Sequence, residues 1–308
     1  MLCNTNSNYH FWQNFSKPKA VLIIKTKKEL DAHLSQERKA GKRIGLIPTM
    51  GALHQGHLSL LDYIKASCEV TVCSIFVNPT QFNNPDDLQK YPRPIEADIA
   101  KLKSAGCDVL FLPEVEEMYS NDEEWHLDLG MLESVLEGAF RPGHFKGVTQ
   151  IVSKLFNIVK PHIAVFGQKD YQQFMVVKRM VELLNLPVEL SMCPVIREES
   201  GLAMSSRNVR LSDIGKQKAS SISRSLNYIK QAAGSNSIGI LKQEAVKRLQ
   251  AEGIDDLEYF EICDPETLEP IANWETGKQA IALVAVWIEG VRLIDNVMID
   301  LNQQKHVS

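Results

Sequence analysis

The segment at residues 43–57 reads Arg43-Ile-Gly-Leu-Ile-Pro-Thr-Met-Gly-Ala-Leu-His-Gln-Gly-His57. Residues 43–48 form a short apolar run that predicts a buried β-strand, and residues 57–67 follow as an amphipathic helical segment. Glycines at the junction allow the backbone to approach a ligand closely, and the N-terminus of a helix presents free N–H groups to phosphate. The segment therefore predicts a strand–turn–helix unit whose turn can bind an anion.

Short apolar runs and helix-length amphipathic segments continue to alternate as far as residue 195. The further strand-like runs are residues 70–77, 108–112, 163–166 and 188–195, and the further helical segments are residues 95–105, 148–159 and 172–184. Continuous apolar strands that alternate with helices indicate a parallel sheet covered on both faces. We therefore predict an α/β fold.

The pattern changes beyond residue 196. Two helical segments, residues 219–233 and 238–252, precede strand-like runs at residues 257–263, 280–288 and 291–299. The last two runs flank Glu289-Gly290, which is a hairpin turn signal. The order predicts a smaller C-terminal α+β domain at residues 196–308, after a first domain at residues 1–195 whose residues 1–18 form a flexible arm.

Composition restricts the class of protein. The chain has 308 residues, of which 44% are hydrophobic and 23% charged, and its net charge is −4. These values indicate a globular protein and argue against a general nucleic-acid or anionic-membrane binder. The longest apolar stretch, residues 280–288, is far too short to span a membrane. Six scattered cysteines without a Cys-x-x-Cys pair predict a reduced cytoplasmic protein without disulfides or structural zinc.

His54 and His57 are three residues apart and would share one face of a first helical turn. Two imidazoles beside a phosphate could stabilise the charge that grows on it during a reaction. The alternatives are ordinary hydrogen-bonded loop histidines or a metal pair, although the His-Glu-x-x-His spacing of zinc proteases is absent. Neither a Walker sequence nor Gly-x-Gly-x-x-Gly occurs.

Three other segments carry polar residues that follow strands or the end of the sheet pattern. In Gly167-Gln-Lys169-Asp170, the lysine could bind phosphate and the aspartate a ribose, or the segment could be an ordinary helix start. Met204-Ser-Ser-Arg207 could close over a polyphosphate or form a plain turn. The uncharged amide of Gln81 suits a hydroxyl-bearing organic acid, and otherwise it is a satisfied loop amide.

Taken together, six motifs closely resemble the pantoate–β-alanine ligase family, within the adenylyl-transferring superfamily with the His-x-Gly-His motif. They are residues 48–57, 76–82, 91–93, 141–148, 167–173 and 201–208. The resemblance covers residues 40 to 215 with specific motifs and continues more loosely to about residue 300. It implies a Rossmann-like parallel sheet of the nucleotidyl-transferase type.

The resemblance implies an ATP-dependent ligase in pantothenate biosynthesis, on the pathway to coenzyme A. Pantoate would attack the α-phosphate of MgATP to give pantoyl adenylate and pyrophosphate. The amine of β-alanine would then attack the acyl adenylate to give pantothenate and AMP. The family also implies a cytoplasmic homodimer, with no nucleic acid or membrane as a partner.

The same resemblance assigns roles by position. His57 would be the general acid, with His54 as its partner and Lys169 on phosphate. The ATP site would consist of Met50, Gly51, His54, Gly56, His57, Gly167, Gln168, Lys169, Asp170, Ile196, Met204, Ser205, Ser206 and Arg207. Gln81 and Gln173 would bind pantoate, with Gln81 also near β-alanine, and Asn78 and His144 would be secondary members.

The chain departs from the family at a few positions. Gln168 replaces a common glutamate, so a charge beside the phosphates is missing, and Ile196 replaces a common valine. Asp98 is a possible magnesium contact, but Ala97 and Lys101 do not supply the extra ligands that some relatives have. The metal residues therefore stay unassigned, and Mg²⁺ could be held mainly by the phosphates.

Two other functions remain open from the sequence. One is an adenylyltransferase that makes a dinucleotide-type product, which would not require Gln81 or Gln173 to hold a carboxylic acid. The other is a nucleotide-binding regulatory or RNA-binding module without chemistry. The acidic balance of the chain and its intact histidine pair argue against the second.

Overall fold

The computed structural model describes residues 20–120, 124–275 and 278–301, so the predicted arm at residues 1–18 lies outside the described residues. The larger sheet is made of β1 (Leu22–Ile24), β2 (Ile44–Thr49), β3 (Val70–Ile75), β4 (Val109–Phe111), β5 (Ile163–Gly167) and β6 (Glu189–Cys193). All its strand pairs are parallel. The smaller, antiparallel sheet is made of β7 (Leu257–Cys263), β8 (Gln279–Ile288) and β9 (Val291–Asp300).

Ten α-helices connect and cover these strands within the described residues. They are α1 (Lys27–Lys39), α2 (Gln55–Ile64), α3 (Pro85–Lys90), α4 (Ile95–Ser104), α5 (Val115–Met118), α6 (Glu137–Phe140), α7 (His144–Val159), α8 (Tyr171–Leu183), α9 (Asp213–Ala232) and α10 (Ile238–Ala251). No helix of the described part of the chain is long and apolar enough to cross a membrane.

The larger sheet is covered on both faces, as predicted. Its strands and α1, α7 and α8 contribute to one apolar core, whereas α2 and α4 contribute to a second. A third core joins α9 and α10 to the antiparallel sheet. The predicted α/β fold with a smaller C-terminal α+β unit is confirmed, whereas the division between residues 195 and 196 stays a prediction.

The strand order of the larger sheet is β1-β4-β3-β2-β5-β6. The chain builds outward from β2 through β3 to β4 and then returns to place β5 on the other side of β2. The β2–β5 pair is therefore the point where the winding direction changes, and ligands of open α/β sheets bind outside the carboxyl ends of such strands. The turns after β2 and β5 are the two that carry the histidine pair and Lys169.

The element predictions missed five elements of the described residues and placed two helix starts late. The helices α3, α5 and α6 were not predicted, because each has only four to six residues. Helix α7 starts at His144 rather than at residue 148. The edge strand β1 and α1 were not predicted, because β1 is only three residues long and α1 is mostly polar. Helix α9 starts at Asp213 rather than at residue 219, because the hydroxyl of Ser212 accepts a hydrogen bond from the N–H of Gly215 and caps it. The cysteines among the described residues are free, and they are Cys68, Cys73, Cys107, Cys193 and Cys263.

A buried ion-pair network connects the antiparallel sheet to helix α6. Arg292 on β9 donates to both carboxylate oxygens of Glu137 on α6 at 2.7 Å and to Glu258 on β7 at 2.6 Å. The hydroxyl of Tyr259 also donates to Glu137. Burial alone would raise the pKa of Glu137, but these hydrogen bonds and the charge of Arg292 lower it to about 2. The glutamate is therefore ionised and paired at neutral pH.

Candidate functional site

A cavity of about 200 Å³ opens at the carboxyl ends of β2 and β5. Most of the residues predicted from the sequence line it, namely Met50, His54, Gly56, His57, Gln81, Gly167, Lys169, Asp170, Gln173, Ile196, Met204, Ser205, Ser206 and Arg207. Gly51 and Gln168 are not among the lining residues. Tyr91 also lines the cavity, and its role was not predicted.

The two histidines are held by the start of α2. His54 is the N-cap, and its Nδ1 accepts a hydrogen bond from the N–H of Gly56 at 3.1 Å. The N–H of His54 in turn donates to Nδ1 of His57 at 3.3 Å, and the ring centroids are 4.1 Å apart. Because both Nδ1 atoms accept, each neutral ring carries its proton on Nε2. The predicted shared face is present, and it is fixed by a reciprocal cap.

The electrostatics of the cavity keep both rings neutral. Burial, followed by the charge of Lys169, lowers the pKa of His54 to about 4. Burial, followed by His54 and then Lys169, lowers the pKa of His57 well below its ordinary value. The site thus offers two neutral N–H donors next to a cation. This arrangement suits a negatively charged ligand.

Asp98 braces the turn that precedes these histidines. Its buried carboxylate accepts hydrogen bonds from the N–H groups of Ala52 at 2.7 Å and Leu53 at 2.8 Å, and Lys101 lies 4.0 Å away. The side chain therefore acts on the backbone of the turn rather than facing the cavity. Within residues 20–120, 124–275 and 278–301, no group of three or more His, Cys, Asp or Glu residues is placed to hold a metal.

Lys169 and Gln173 approach the cavity from the turn after β5 and from α8. The ammonium of Lys169 lies 3.8 Å from the carboxylate of Asp170, and the lysine side chain is 19% exposed. Gln168, its neighbour, turns away and donates from Nε2 to Oδ1 of Asn296 at 3.1 Å. The glutamine that replaces the family's common glutamate thus contacts the antiparallel sheet and not the cavity.

A network of side chains fixes Gln81. Asn78 donates from Nδ2 to the side-chain oxygen of Gln81 at 3.0 Å. His144 holds the backbone, since its Nδ1 lies 2.8 Å from the carbonyl oxygen of Gln81 while Arg141 donates to its Nε2 at 3.1 Å. The amide nitrogen of Gln81 points toward Met50, whose sulfur is 3.2 Å away. His144 therefore supports the cavity from behind rather than lining it.

Acid is expected to destabilise the native state through its buried neutral histidines. The pKa of His144 falls to about 3, first because of burial and then because of Arg141. Between its ordinary value and this low value the unfolded chain binds more protons, so the free energy of unfolding falls as the pH is lowered. The loss is roughly 2 kcal/mol at pH 5 for one such imidazole.

Urea unfolding at about pH 7.5 and pH 5 measures this loss. His144→Asn is the matched variant, because an asparagine amide can replace Nδ1–H on the carbonyl of Gln81 without gaining a proton. The variant should show a smaller decrease between the two pH values. Equal unfolding free energies of the unmodified protein at both pH values would contradict the prediction.

The serine–arginine loop covers the cavity from the side of α3. Ser206 donates to the carbonyl of Ala52 at 3.0 Å, so the loop contacts the histidine turn. Arg207 donates to Asp87 at 2.7 Å, and Arg210 donates to the same carboxylate at 3.0 Å. Sequence reasoning missed Asp87, because nothing in the pattern of α3 indicates that it would meet a loop 120 residues away.

A second cavity of about 310 Å³ lies between the two sheets and shares four lining residues with the first: Lys169, Asp170, Ser205 and Arg207. Arg141 and Arg292 also line it. The shared lining contains two cationic side chains, Lys169 and Arg207, and one carboxylate, Asp170. In the second cavity Arg292 is paired with Glu137 and Glu258. The two spaces together offer room for an extended ligand next to the histidine pair.

A cationic cavity at the switch point of a parallel sheet is typical of α/β proteins that bind nucleotides, and the fold and the site define that class here. The family model of pantoate–β-alanine ligase matches residues 22–298. The chain belongs to this family.

Individual relatives agree with the family model over nearly the whole chain. Pantothenate synthetase from Cytophaga hutchinsonii is 46% identical over 283 residues, which cover 91% of this chain and 100% of the relative. The crystal structure of pantothenate synthetase from Thermus thermophilus is 42% identical, with a TM-score of 0.85 and coverage of 90% of this chain and 99% of that one. Pantoate–β-alanine ligase from Francisella tularensis, solved in complex with beta-gamma ATP and beta-alanine, is 34% identical, with a TM-score of 0.74 and coverage of 91% and 98%.

Proposed function

We propose that this chain condenses pantoate with β-alanine at the expense of ATP, through a pantoyl adenylate. Family membership supports the reaction. The observation that carries it is one cavity that contains the imidazole pair, Lys169 and the serine–arginine loop together with Gln81 and Gln173. A nucleotide and a small hydroxy acid can meet there at a single phosphorus.

In the first step, a carboxylate oxygen of pantoate attacks the α-phosphorus, and the bond from that phosphorus to the bridging oxygen of pyrophosphate breaks. Negative charge grows on the phosphate oxygens, where Lys169 and the Nε2–H groups of the histidines stabilise it. The low pKa values make His54 and His57 neutral hydrogen-bond donors. The role of His57 as the general acid stays a prediction.

In the second step, the unprotonated amine of β-alanine attacks the acyl carbon and the C–N bond forms. The bond from that carbon to the oxygen that bridged it to phosphorus breaks, AMP leaves with this oxygen, and the proton lost by the amine passes to water. The reaction needs no protein nucleophile, since the substrate carboxylate is itself activated. Gln81 and Gln173 orient pantoate through neutral hydrogen bonds, and alignment of the reactants supplies much of the rate. Gln81 is also placed at the side from which the amine approaches in this proposal.

Mg²⁺ accompanies ATP in this proposal and would neutralise charge on its phosphates. Asp98 is engaged by two backbone N–H groups and does not line the cavity. The phosphate oxygens would therefore hold most of the Mg²⁺ coordination in this proposal. A cytoplasmic homodimer is part of the same proposal, supported by the family resemblance, and light scattering of the purified protein tests the dimer.

The test of the reaction uses the purified protein with ATP, pantoate and β-alanine. Pyrophosphate release should require both ATP and pantoate, and free AMP should appear once β-alanine is added. A mass spectrum after incubation with ATP and pantoate alone should contain an enzyme-bound acyl adenylate. AMP found in a stable phosphodiester would indicate an adenylyltransferase instead, and ATP binding without turnover would indicate a regulatory module.

Gly147→Ala is expected to displace the loop that holds Gln81. Gly147 lies on α7 against that loop, and a Cβ there would be 2.4 Å from the carbonyl oxygen of Thr80 and 2.6 Å from the N–H nitrogen of Gln81. The backbone of Thr80 and Gln81 would have to move to make room for the Cβ. This overpacking should destabilise the protein by roughly 1–3 kcal/mol. Because the pantoate-binding amide moves, KM for pantoate should rise more than KM for ATP.

Gly239→Ala is the matched control for that variant, because Gly239 is also helical and its added Cβ would have no heavy atom within 4 Å. It should leave the KM for pantoate unchanged and keep or raise the melting temperature. If the two variants behave alike, the close approach of Gly147 to the loop does not control the position of Gln81.

A further inference from the structure

Strand β9 contacts the turn after β5 that carries Lys169, through one buried side chain. Asn296 is 2% exposed, and its Nδ2 donates to the carbonyl oxygens of Gln168 and Lys169, each at 2.9 Å. Its Oδ1 accepts from Nε2 of Gln168 at 3.1 Å. Both donors of the amide are therefore used, and its oxygen is also paired.

The two carbonyl groups that Asn296 binds lie on either side of the Cα atom of Lys169. Fixing both peptide units fixes the backbone that directs the lysine side chain, since a side chain leaves its backbone in a direction set by φ and ψ. Asn296 itself is not among the residues that line the nucleotide cavity. Its influence on the phosphate chemistry therefore acts through the position of Lys169.

The segment held by Asn296 is short and irregular. Residues Gln168–Asp170 form a 3₁₀ turn between β5 and α8, and no side-chain hydrogen bond caps the start of α8. The two hydrogen bonds from Asn296 to carbonyl oxygens therefore constrain a turn that has no side-chain cap of its own. A position required for catalysis to within about 0.5 Å needs such support from packed neighbours.

We propose that Asn296 is a positioning residue for the reaction, and that it sets the ammonium of Lys169 toward the phosphates of ATP by holding the peptide groups of Gln168 and Lys169. The proposal rests on the function proposed above. In this proposal the antiparallel sheet supports the active site through Asn296, although the Asn296 side chain does not contact the substrate.

The test is a double-mutant cycle between Asn296 and Lys169. Asn296→Leu keeps the branched shape, removes both N–H donors and adds no charge, and it should lower kcat by about 10- to 100-fold, as expected for a supporting residue. In a Lys169→Met background the same change should cost less than about threefold, because the lysine that Asn296 positions is already absent. A purely structural role predicts the same factor in both backgrounds, and that result would overturn the proposal.

Ile299→Val is the matched control on the same strand. Ile299 is buried in the C-terminal core and makes no contact of this kind, so its variant should lower the melting temperature and leave kcat unchanged. Wild-type kcat in Asn296→Leu would overturn the proposal.

A second readout tests the role of Asn296 separately from the proposed reaction. The proposed reaction itself fails if the unmodified protein releases no pyrophosphate with ATP and pantoate. The Kd of ATP is measured by calorimetry for the same four proteins of the cycle. Asn296→Leu should weaken ATP binding about tenfold only when Lys169 is present. Equal weakening in both backgrounds, or none, would overturn the inference about Asn296 independently of turnover.

Discussion

Replacing His57 by alanine is expected to lower kcat for pyrophosphate release by about 10²- to 10³-fold, the usual cost of losing one donor to a developing oxyanion. The ring is held by a hydrogen bond from the N–H of His54 to its Nδ1, so the remaining proton is on Nε2 and available to a phosphate oxygen. Rapid-quench measurement with ATP and pantoate isolates this step from the later amine attack.

The alanine variant also breaks the reciprocal cap of α2, in which His57 is the third helical residue. Loss of a cap costs about 0.5–2 kcal/mol of stability, so a fall in activity could reflect the fold. His57→Gln separates the two effects, because glutamine at this position can still accept from the N–H of the cap residue. It should recover the melting temperature while kcat stays at least about tenfold low. Wild-type kcat in either variant would remove the role proposed for this ring.

Replacing Lys169 by methionine is expected to have an effect of similar size on turnover, about 10²- to 10³-fold, and to raise KM for ATP as well. Methionine keeps the apolar length of the side chain but removes the positive charge that the turn after β5 brings to the cavity. The ground state and the transition state both carry phosphate charge, so binding and rate should fall together. Lys169→Arg, which retains the charge but not the shape, should recover part of the ATP binding and less of kcat.

The methionine variant has a second readout that does not depend on activity. Lys169 is the second cause, after burial, of the low pKa of His54. Without the lysine the pKa of His54 should rise from about 4 toward its ordinary value. NMR titration of the imidazole in the empty protein measures the change. An unchanged pKa of His54 would show that the charge of Lys169 does not influence the imidazole. That result would contradict the placement of Lys169 beside the phosphates.

Much of the site was predictable because its residues lie at strand ends. In a parallel sheet every strand ends at the same edge, so His54 and Lys169 are brought to one edge by topology alone. The choice of Gln173 rather than its neighbour also agrees with the structure, since Gln173 lines the cavity whereas Gln172 donates to the carbonyls of Leu132 and Val135. The first prediction needed only that parallel strands end at one edge of a sheet, and the choice of Gln173 came from the family resemblance.

The supporting residues were not predictable in the same way. Asp98 was considered as a metal contact, and in the structure its carboxylate accepts hydrogen bonds from backbone N–H groups of the histidine turn. Asp87 pairs with Arg207, and Asn296 holds the backbone of Lys169, across separations of more than 100 residues. None of these three belongs to a local pattern that indicates its partner.

The sequence by itself determined the alternation of strands and helices and the change to a C-terminal antiparallel unit. Those two properties follow from hydrophobic period and from turn chemistry, which are local. The roles of the site residues came from the family resemblance of their motifs and stay predictions. Only the tertiary structure decided that β5 lies beside β2, that both histidine rings are neutral, and that β9 supports the lysine turn. Strand order, burial and charge proximity are set by contacts between distant segments, and no local pattern encodes them.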